Sequence, residues 1–206
     1  LYGSATGNAE QIAKDLARNY EKMITDKKDE CYFPSVICCE LDQYKKKCLS
    51  TWEDESLLKS DIGQKHGVLV VTSTTGNGEA PENASRFVRY VKRKTTVDAM
   101  PFKHIAFAVL GLGDTNYDQF CETGKVIDKK IKALGGTRAQ GVVCADEGTG
   151  LEQVVDPWVT NICIVLSKRC QGMESKDIAI KNAEEGKTNE KLPTKAPSAN
   201  EENSSN

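Results

Sequence analysis

The sequence predicts an α/β protein: a doubly wound, five-stranded parallel sheet with helices on both faces, followed by a disordered C-terminal tail. Three observations predict this. Short apolar runs alternate with stretches of helical periodicity, the pattern of strand–helix–strand units. Two of those runs, Val68-Leu69-Val70-Val71 and Ile105-Ala106-Phe107-Ala108-Val109-Leu110, are apolar throughout, as strands are when both sheet faces are covered. The segment from Gln171 to Asn206 has no Phe, Tyr or Trp but five Lys and seven Asp or Glu. It buries too little apolar surface to offset its ordering entropy. The chain therefore divides into a folded unit at 1–170 and a linker or tail at 171–206.

Leu1-Tyr2 reads as the stub of a first strand, truncated at its start. Ala9 to Met23 places Ile12, Ala13, Leu16 and Tyr20 at helical spacing. Pro34 to Leu41 reads as the second strand. Residues 42–65 are polar and irregular, with a helical turn near Leu57-Leu58. Val68 to Val71 is the third strand, and Glu82 to Lys94 a helix with Phe87, Val88 and Val91 inward. Ile105 to Leu110 is the fourth strand. Phe120 to Leu134 is a helix with Val126, Ile127, Ile131 and Leu134 on one face, stopped by Gly135-Gly136. Val142-Val143-Cys144 is the last strand, and Leu151 to Arg169 the last helix, kinked or delayed by Pro157. Right-handed crossovers leave few topologies for such a chain. Ligands of these sheets bind beyond the carboxyl ends of the strands, so the loops there hold the candidate site.

Composition excludes several function classes. With 28 Lys+Arg against 30 Asp+Glu, the net charge of −2 gives no basic footprint for nucleic acid. No apolar run reaches the roughly 18 residues that a membrane span requires. None of the eight cysteines forms a C-x-x-C pair, so neither a zinc knuckle nor a redox motif is expected, and no metal. Several cysteines sit inside apolar runs, as Cys38-Cys39, Cys144 and Cys163 do, and read as reduced, buried thiols of a cytoplasmic protein. His66 and His104 are isolated surface residues, Lys45-Lys46-Lys47 is a solvated turn, and the glycosylation pattern Asn83-Ala84-Ser85 is chance.

Three loops carry chemistry. Gly3-Ser4-Ala5-Thr6-Gly7-Asn8 joins a strand to a helix and offers hydroxyls and backbone N–H groups at a helix N-terminus. That suits a phosphate. It lacks the Gly-Lys-Ser/Thr of a nucleoside-triphosphate loop, and no Lys or Arg occurs from Leu1 to Ala13. Neutral donors suit one monoester phosphate; the alternative is an ordinary helix cap. The second loop is Thr72-Ser73-Thr74-Thr75-Gly76-Asn77-Gly78-Glu79-Ala80-Pro81, whose glycines let a flat ring approach main chain, unless it is only a glycine-rich turn ending at a helix start. The third is Gly111-Leu112-Gly113-Asp114-Thr115-Asn116-Tyr117-Asp118-Gln119-Phe120-Cys121. Asn116 stands where a dinucleotide fingerprint needs its third glycine, so that fingerprint fails. Tyr117 reads as a stacking platform, or else packs on its own loop, and Phe120 reads as a core anchor. A phosphate cradle, a ring contact and an aromatic stack on one sheet together describe a phosphorylated flat heterocycle, flavin mononucleotide.

On these residues the chain resembles the flavodoxin-like, FMN-binding domain of the diflavin reductases. Ser4-Ala5-Thr6-Gly7-Asn8 matches the phosphate loop of that family. Gly111-Leu112-Gly113-Asp114, Tyr117, Phe120 and Cys121 match its third flavin loop. The match spans roughly residues 1–169. Family members that serve microsomal cytochromes place an aromatic where Thr75 stands, so its absence points to another branch.

The resemblance implies electron flow from NADPH to FAD, then to FMN, then singly to an acceptor protein, with only the FMN step held here. FAD and NADPH would then belong to a further, C-terminal part. Ser4, Ala5, Thr6, Gly7 and Asn8 would hold the phosphate, and Tyr117 would stack on the ring. The Thr75-Gly76 peptide would lie near flavin N5, with Ser73, Thr74, Asn77 and Gly78 around it. Leu110, Gly111, Leu112, Gly113 and Asp114, with Phe120, Cys121 and Asp146, would complete the cofactor-binding set. No catalytic side chain is implied, because the chemistry belongs to the cofactor. Asp146, Glu147, Glu152 and Asp156 fall in a stretch, Ala139 to Ser167, without Lys or Arg. With Glu79, Glu82, Asp114, Asp118 and Glu122 they would form an acidic face for a basic partner. The competing readings are a free-standing flavodoxin carrier and a flavin-free binding module.

Overall fold

The computed structural model describes residues 1–26, 31–48, 50, 52, 66–93 and 100–172. Leu57-Leu58, Lys94 and 173–206 lie outside them.

Five strands, all parallel, form one sheet: β1 (Tyr2–Gly3), β2 (His66–Ser73), β3 (Ile105–Gly113), β4 (Thr137–Arg138) and β5 (Val143–Asp146). The helices are α1 (Asn8–Asp26), α2 (Tyr44–Lys47), α3 (Ser85–Lys92), α4 (Glu122–Ala133) and α5 (Glu152–Cys170). Strand β2 pairs with β1 on one side and with β3 on the other.

Two elements differ from expectation. Pro34 to Leu41 contributes one bridge, Glu40 to Tyr2, rather than a strand. A ladder needs a partner, and β1 offers only Tyr2 and Gly3. The fifth strand comes instead from the far edge, which is shared by two short segments. β4 pairs with Ala106 and Phe107, while β5 pairs with Leu110 to Gly113, so the two lie in line along β3. The helix after β2 opens with a 3₁₀ turn at Glu82–Ala84, and α5 runs through Pro157 instead of starting after it. Pro157 stands in the second turn, and the helix continues past the one bond to the Gln153 carbonyl that its missing N–H removes.

The sheet separates two cores. Alternation along β2 and β3 sends Val68, Val70, Phe107 and Val109 toward α3 and α4, where Phe87, Val91, Ile127 and Ile131 meet them. Val71, Ala108, Leu110 and Leu112 face α1 and α5, against Ala9, Ala13, Leu16, Val155, Trp158 and Ile162. Each fully buried large side chain contributes about 1.5–3 kcal/mol, so two covered faces hold the strand ends rigidly in line. At the edge, Asp128 is 4 % exposed and accepts from Nε and Nη2 of Arg138 in β4, anchoring that segment to α4. No described helix is long and apolar enough to cross a membrane.

Candidate functional site

The register brings the three loops to one end of the sheet. Gly3 pairs with Thr72, Ser73 with Leu112, and Gly113 with Asp146, so four neighbouring strands end at one level.

The first loop is a tight turn closed by its own serine. The Gly7 amide donates to Ser4 Oγ at 3.0 Å, and the Gln11 amide to the Gly7 carbonyl at 2.9 Å. Gly7 has φ +100°, a left-handed conformation that disfavours other residues, and a side chain there would meet nothing within 4 Å. Ala5, Thr6 and Asn8 are exposed. The first amides of α1 have no partner inside the helix and open on this turn. Sequence reasoning missed Asn83, whose Oδ1 accepts the Ser4 amide at 3.0 Å across 79 residues of chain. Its place in a glycosylation pattern concealed that role; the signal was its position opposite β1 at the start of the helix. Ser4 and Asn83 also line a polar cavity of about 700 Å³ that brings Arg86 and Arg89 to the side of the first loop.

The second loop is a narrow turn. Thr75 and Glu79 exchange backbone bonds of 2.9 and 2.8 Å, and Gly76 at its tip has φ +47° with open space around it. Thr74 is occupied structurally: its Oγ1 accepts the Thr123 amide at 3.2 Å, next to the start of α4. Asn77 is exposed, and Gly78 lies against Gln119 of the third loop, within 3.0 Å of where its Cβ would stand. Ser73 Oγ is buried and has no hydrogen-bond partner among the described residues.

The third loop is held from within and from β5. Asp114 Oδ1 accepts the Asn116 amide at 2.8 Å, and the Tyr117 amide reaches the Asp114 carbonyl at 3.1 Å. Tyr117 itself is 64 % exposed, so it does not pack on its own loop. Phe120 is half-buried rather than a core anchor, with Lys125 Nζ 5.3 Å from its ring centre and Gly113 beside it. Leu110, Leu112 and Cys121 are at most 1 % exposed, with side chains committed to the cores, and Gly111 is packed against Cys121. These four have only backbone to offer a ligand.

Asp146, expected on an acidic face and beside the cofactor, is held by the loops around it. Its carboxylate accepts Thr115 Oγ1 at 2.7 Å, the Thr115 amide at 3.1 Å and the Gly148 amide at 2.9 Å. These bonds, chiefly that from the Thr115 hydroxyl, hold its pKa below the ordinary 3.8. A carboxylate with a depressed folded pKa adds stability above the unfolded value, and that contribution fades as pH falls through the folded value. NMR titration should therefore place the Asp146 midpoint below 3.8, and Thr115→Ala should raise it. An ordinary midpoint in the native chain would refute this clamp. Glu147 is also engaged, accepting Asn8 Nδ2 at 3.3 Å and donating its amide to the Gly113 carbonyl at 2.8 Å. Among the described residues no acidic or cysteine cluster is arranged to hold a metal ion.

A doubly wound parallel sheet with three ligand loops at its carboxyl edge defines a nucleotide-cofactor carrier of the open α/β type. Residues 37–158, more than half of the chain, match the family model described as Flavodoxin, and the chain belongs to that family. It is similar to methionine synthase reductase of Bos taurus, 35 % identical over 170 residues, which cover 82 % of this chain and 21 % of that protein. It is also similar to the sulfite reductase [NADPH] flavoprotein alpha-component of Mannheimia succiniciproducens, 33 % identical over 162 residues, 79 % of this chain and 23 % of that protein. The chain thus spans about a fifth of the length of these curated relatives. Among solved structures, a cysteine-to-serine mutant of flavodoxin from Pseudomonas aeruginosa shares the fold, with TM-score 0.56 and 22 % identity over 80 % of this chain and 95 % of that one.

FMN is the cofactor of a flavodoxin domain, and the residues present fit it. The unpartnered Ser73 hydroxyl lies where the loops converge, and the turns at Gly7 and Gly76 are backed by no other atom. The donors of the first loop are neutral, as a monoester phosphate beside helix-end amides allows.

Proposed function

We propose that this chain is the FMN-binding electron-transfer domain of an NADPH-dependent diflavin reductase. In this reading an FAD- and NADPH-binding part supplies electrons, and this domain passes them singly to an acceptor protein. The acceptor we favour is cobalamin-dependent methionine synthase, which would be reactivated by reduction. The observation that carries the reading is the likeness to methionine synthase reductase over 82 % of the chain, joined to an open site with flavodoxin geometry. Thr75, where cytochrome-serving members carry an aromatic, supports the same branch. Eight free cysteines support a cytoplasmic setting.

FMN bound here supplies the electron chemistry. The chain's residues bind and orient it. Ser4, Thr6 and Asn8, with the first amides of α1, take the phosphate, while Asn83 fixes Ser4 in place. Tyr117 covers one ring face, and the Gly76 peptide offers backbone polar groups at the ring edge. Leu110 to Gly113 present main chain only. An absorbance spectrum of the purified chain mixed with FMN tests the first step: a perturbed flavin band with quenched fluorescence is expected, and an unperturbed spectrum would overturn it.

Docking is tested away from the engaged acids. Asp146 and Glu147 hold loops, so reversing them would confuse loop damage with lost steering. Asp118 and Glu152 are exposed and serve better. Asp118→Lys with Glu152→Lys should slow electron transfer to the acceptor about tenfold at low ionic strength, and the gap should close as salt rises. An unchanged rate would remove the acidic-face reading.

A further inference from the structure

We propose that Cys121 and Cys144 are a peroxide-responsive modification site that closes to an intramolecular disulfide beneath the third loop. The inference goes beyond the flavin reading and does not depend on a bound cofactor.

The geometry brings the two side chains to one face of the sheet. Gly111 pairs with Cys144 in register, and residues directly opposite in a ladder point to the same side. A Cβ on Gly111 would stand 3.2 Å from Cys121 Cβ and 3.5 Å from its sulfur. Cys121 therefore fills the space that the glycine leaves free, beside Cys144. The Cys121 and Cys144 thiols are within hydrogen-bonding reach of each other, and a disulfide needs Cβ atoms about 3.5–4.5 Å apart. The bridge then forms when the two sulfurs turn toward each other. Cys121 is fully buried and Cys144 half-buried at the sheet edge, so an oxidant meets Cys144 first.

The electrostatics divide the roles in the same way. The interaction between the two thiols lowers Cys144 to about 7, with Lys125 aiding the thiolate, and raises Cys121. A low-pKa, accessible thiolate next to a second cysteine is the usual arrangement of a thiol that senses peroxide. The Cys144 thiolate attacks one oxygen of hydrogen peroxide. An S–O bond forms, the O–O bond breaks, and hydroxide leaves to take up a proton as water. The sulfur loses two electrons and the peroxide gains them. The thiolate charge that had helped to raise Cys121 is then gone. Cys121 gives up its proton and attacks the sulfenic sulfur; the S–S bond forms, the S–O bond breaks, and a second water leaves. Two thiols and one peroxide thus yield one disulfide and two waters.

Cys39 and Cys48 provide an internal comparison. Their sulfurs are 4.0 Å apart, but they are only 4 % and 7 % exposed, so neither meets solvent peroxide as Cys144 does.

The full chain is treated with a small excess of hydrogen peroxide, alkylated, and mapped without reduction. Trypsin with a Glu-specific protease separates Cys144 from Cys163, because Glu147 and Glu152 lie between them. The expected product is a peptide pair joined through Cys121 and Cys144, with a mass loss of about 2 Da for the bridge. Cys144→Ser, a change at a half-buried edge position, should abolish that pair in a folded chain. Cys121→Ser should leave a sulfenic acid on Cys144 that dimedone captures. Oxidation confined to the exposed Cys38, a bridge only between Cys39 and Cys48, or a persistent bridge in Cys144→Ser would overturn the proposal.

Discussion

Tyr117→Ala weakens FMN binding by roughly ten- to a hundredfold and leaves the apo fold intact. Stacking of an aromatic side chain on a flat heterocycle is worth about 1–3 kcal/mol by alanine substitution, and 1.4 kcal/mol is a factor of ten. The ring is 64 % exposed and contributes little packing, so the loss falls on ligand affinity alone. Its neighbours keep the loop in place: the turn is made by Asp114 through the Asn116 and Tyr117 amides, not by the tyrosine ring. The measurement is a fluorescence titration of FMN against wild-type and variant chains, with circular dichroism melts of both without flavin. Equal affinities would end the stacking role, and a lower apo melting temperature would show that the ring serves the fold.

Gly113→Ala destabilises the chain by about 1–3 kcal/mol, the usual cost of forcing an extra methyl into a filled site. Its Cβ would stand 2.8 Å from the Cys121 amide nitrogen, 3.0 Å from the Cys121 sulfur and 3.1 Å from Phe120. A backbone nitrogen cannot swing aside as a side chain tip does. Cys121 is itself held at φ +54°, a left-handed conformation, at the start of α4. The end of β3 or the Phe120-Cys121 peptide must therefore move, and loop three moves with it. Urea denaturation should show a lower midpoint with an unchanged slope, and FMN affinity should fall too. Gly76→Ala is the contrasting substitution, because its methyl would meet nothing within 4 Å and only backbone strain opposes it. If Gly113→Ala proved no more destabilising than Gly76→Ala, the close approach of β3 to Cys121 would not be a packing constraint.

The three loops were legible in the sequence because each follows an apolar run and each carries its own turn chemistry. The helices were legible for a related reason: Ala13, Leu16 and Tyr20 in α1, and Ile127 and Ile131 in α4, repeat at the spacing of a buried helical face. The second strand was misread because Pro34 to Leu41 has the apolar character of a strand, while strand formation depends on a partner that β1 supplies at only two residues. The split edge strand was invisible, since Thr137-Arg138 carries no apolar run and is fixed by pairing with β3 and by the ion pair to Asp128.

Local sequence by itself determined the fold class, the order of elements and the loops that face a ligand, because periodicity and turn residues act over a few positions. Tertiary structure decided how those residues divide their work. Asp146, read as an acid for a partner, spends its carboxylate on Thr115 and Gly148, and Asn83, dismissed as chance, supports Ser4 from 79 residues away. Leu110 and Cys121 turn their side chains into the cores while Tyr117 stands in solvent. Hydrogen bonds and packing between residues distant in the chain exist only once the strands are set in register, and no local pattern encodes which partner each group will meet.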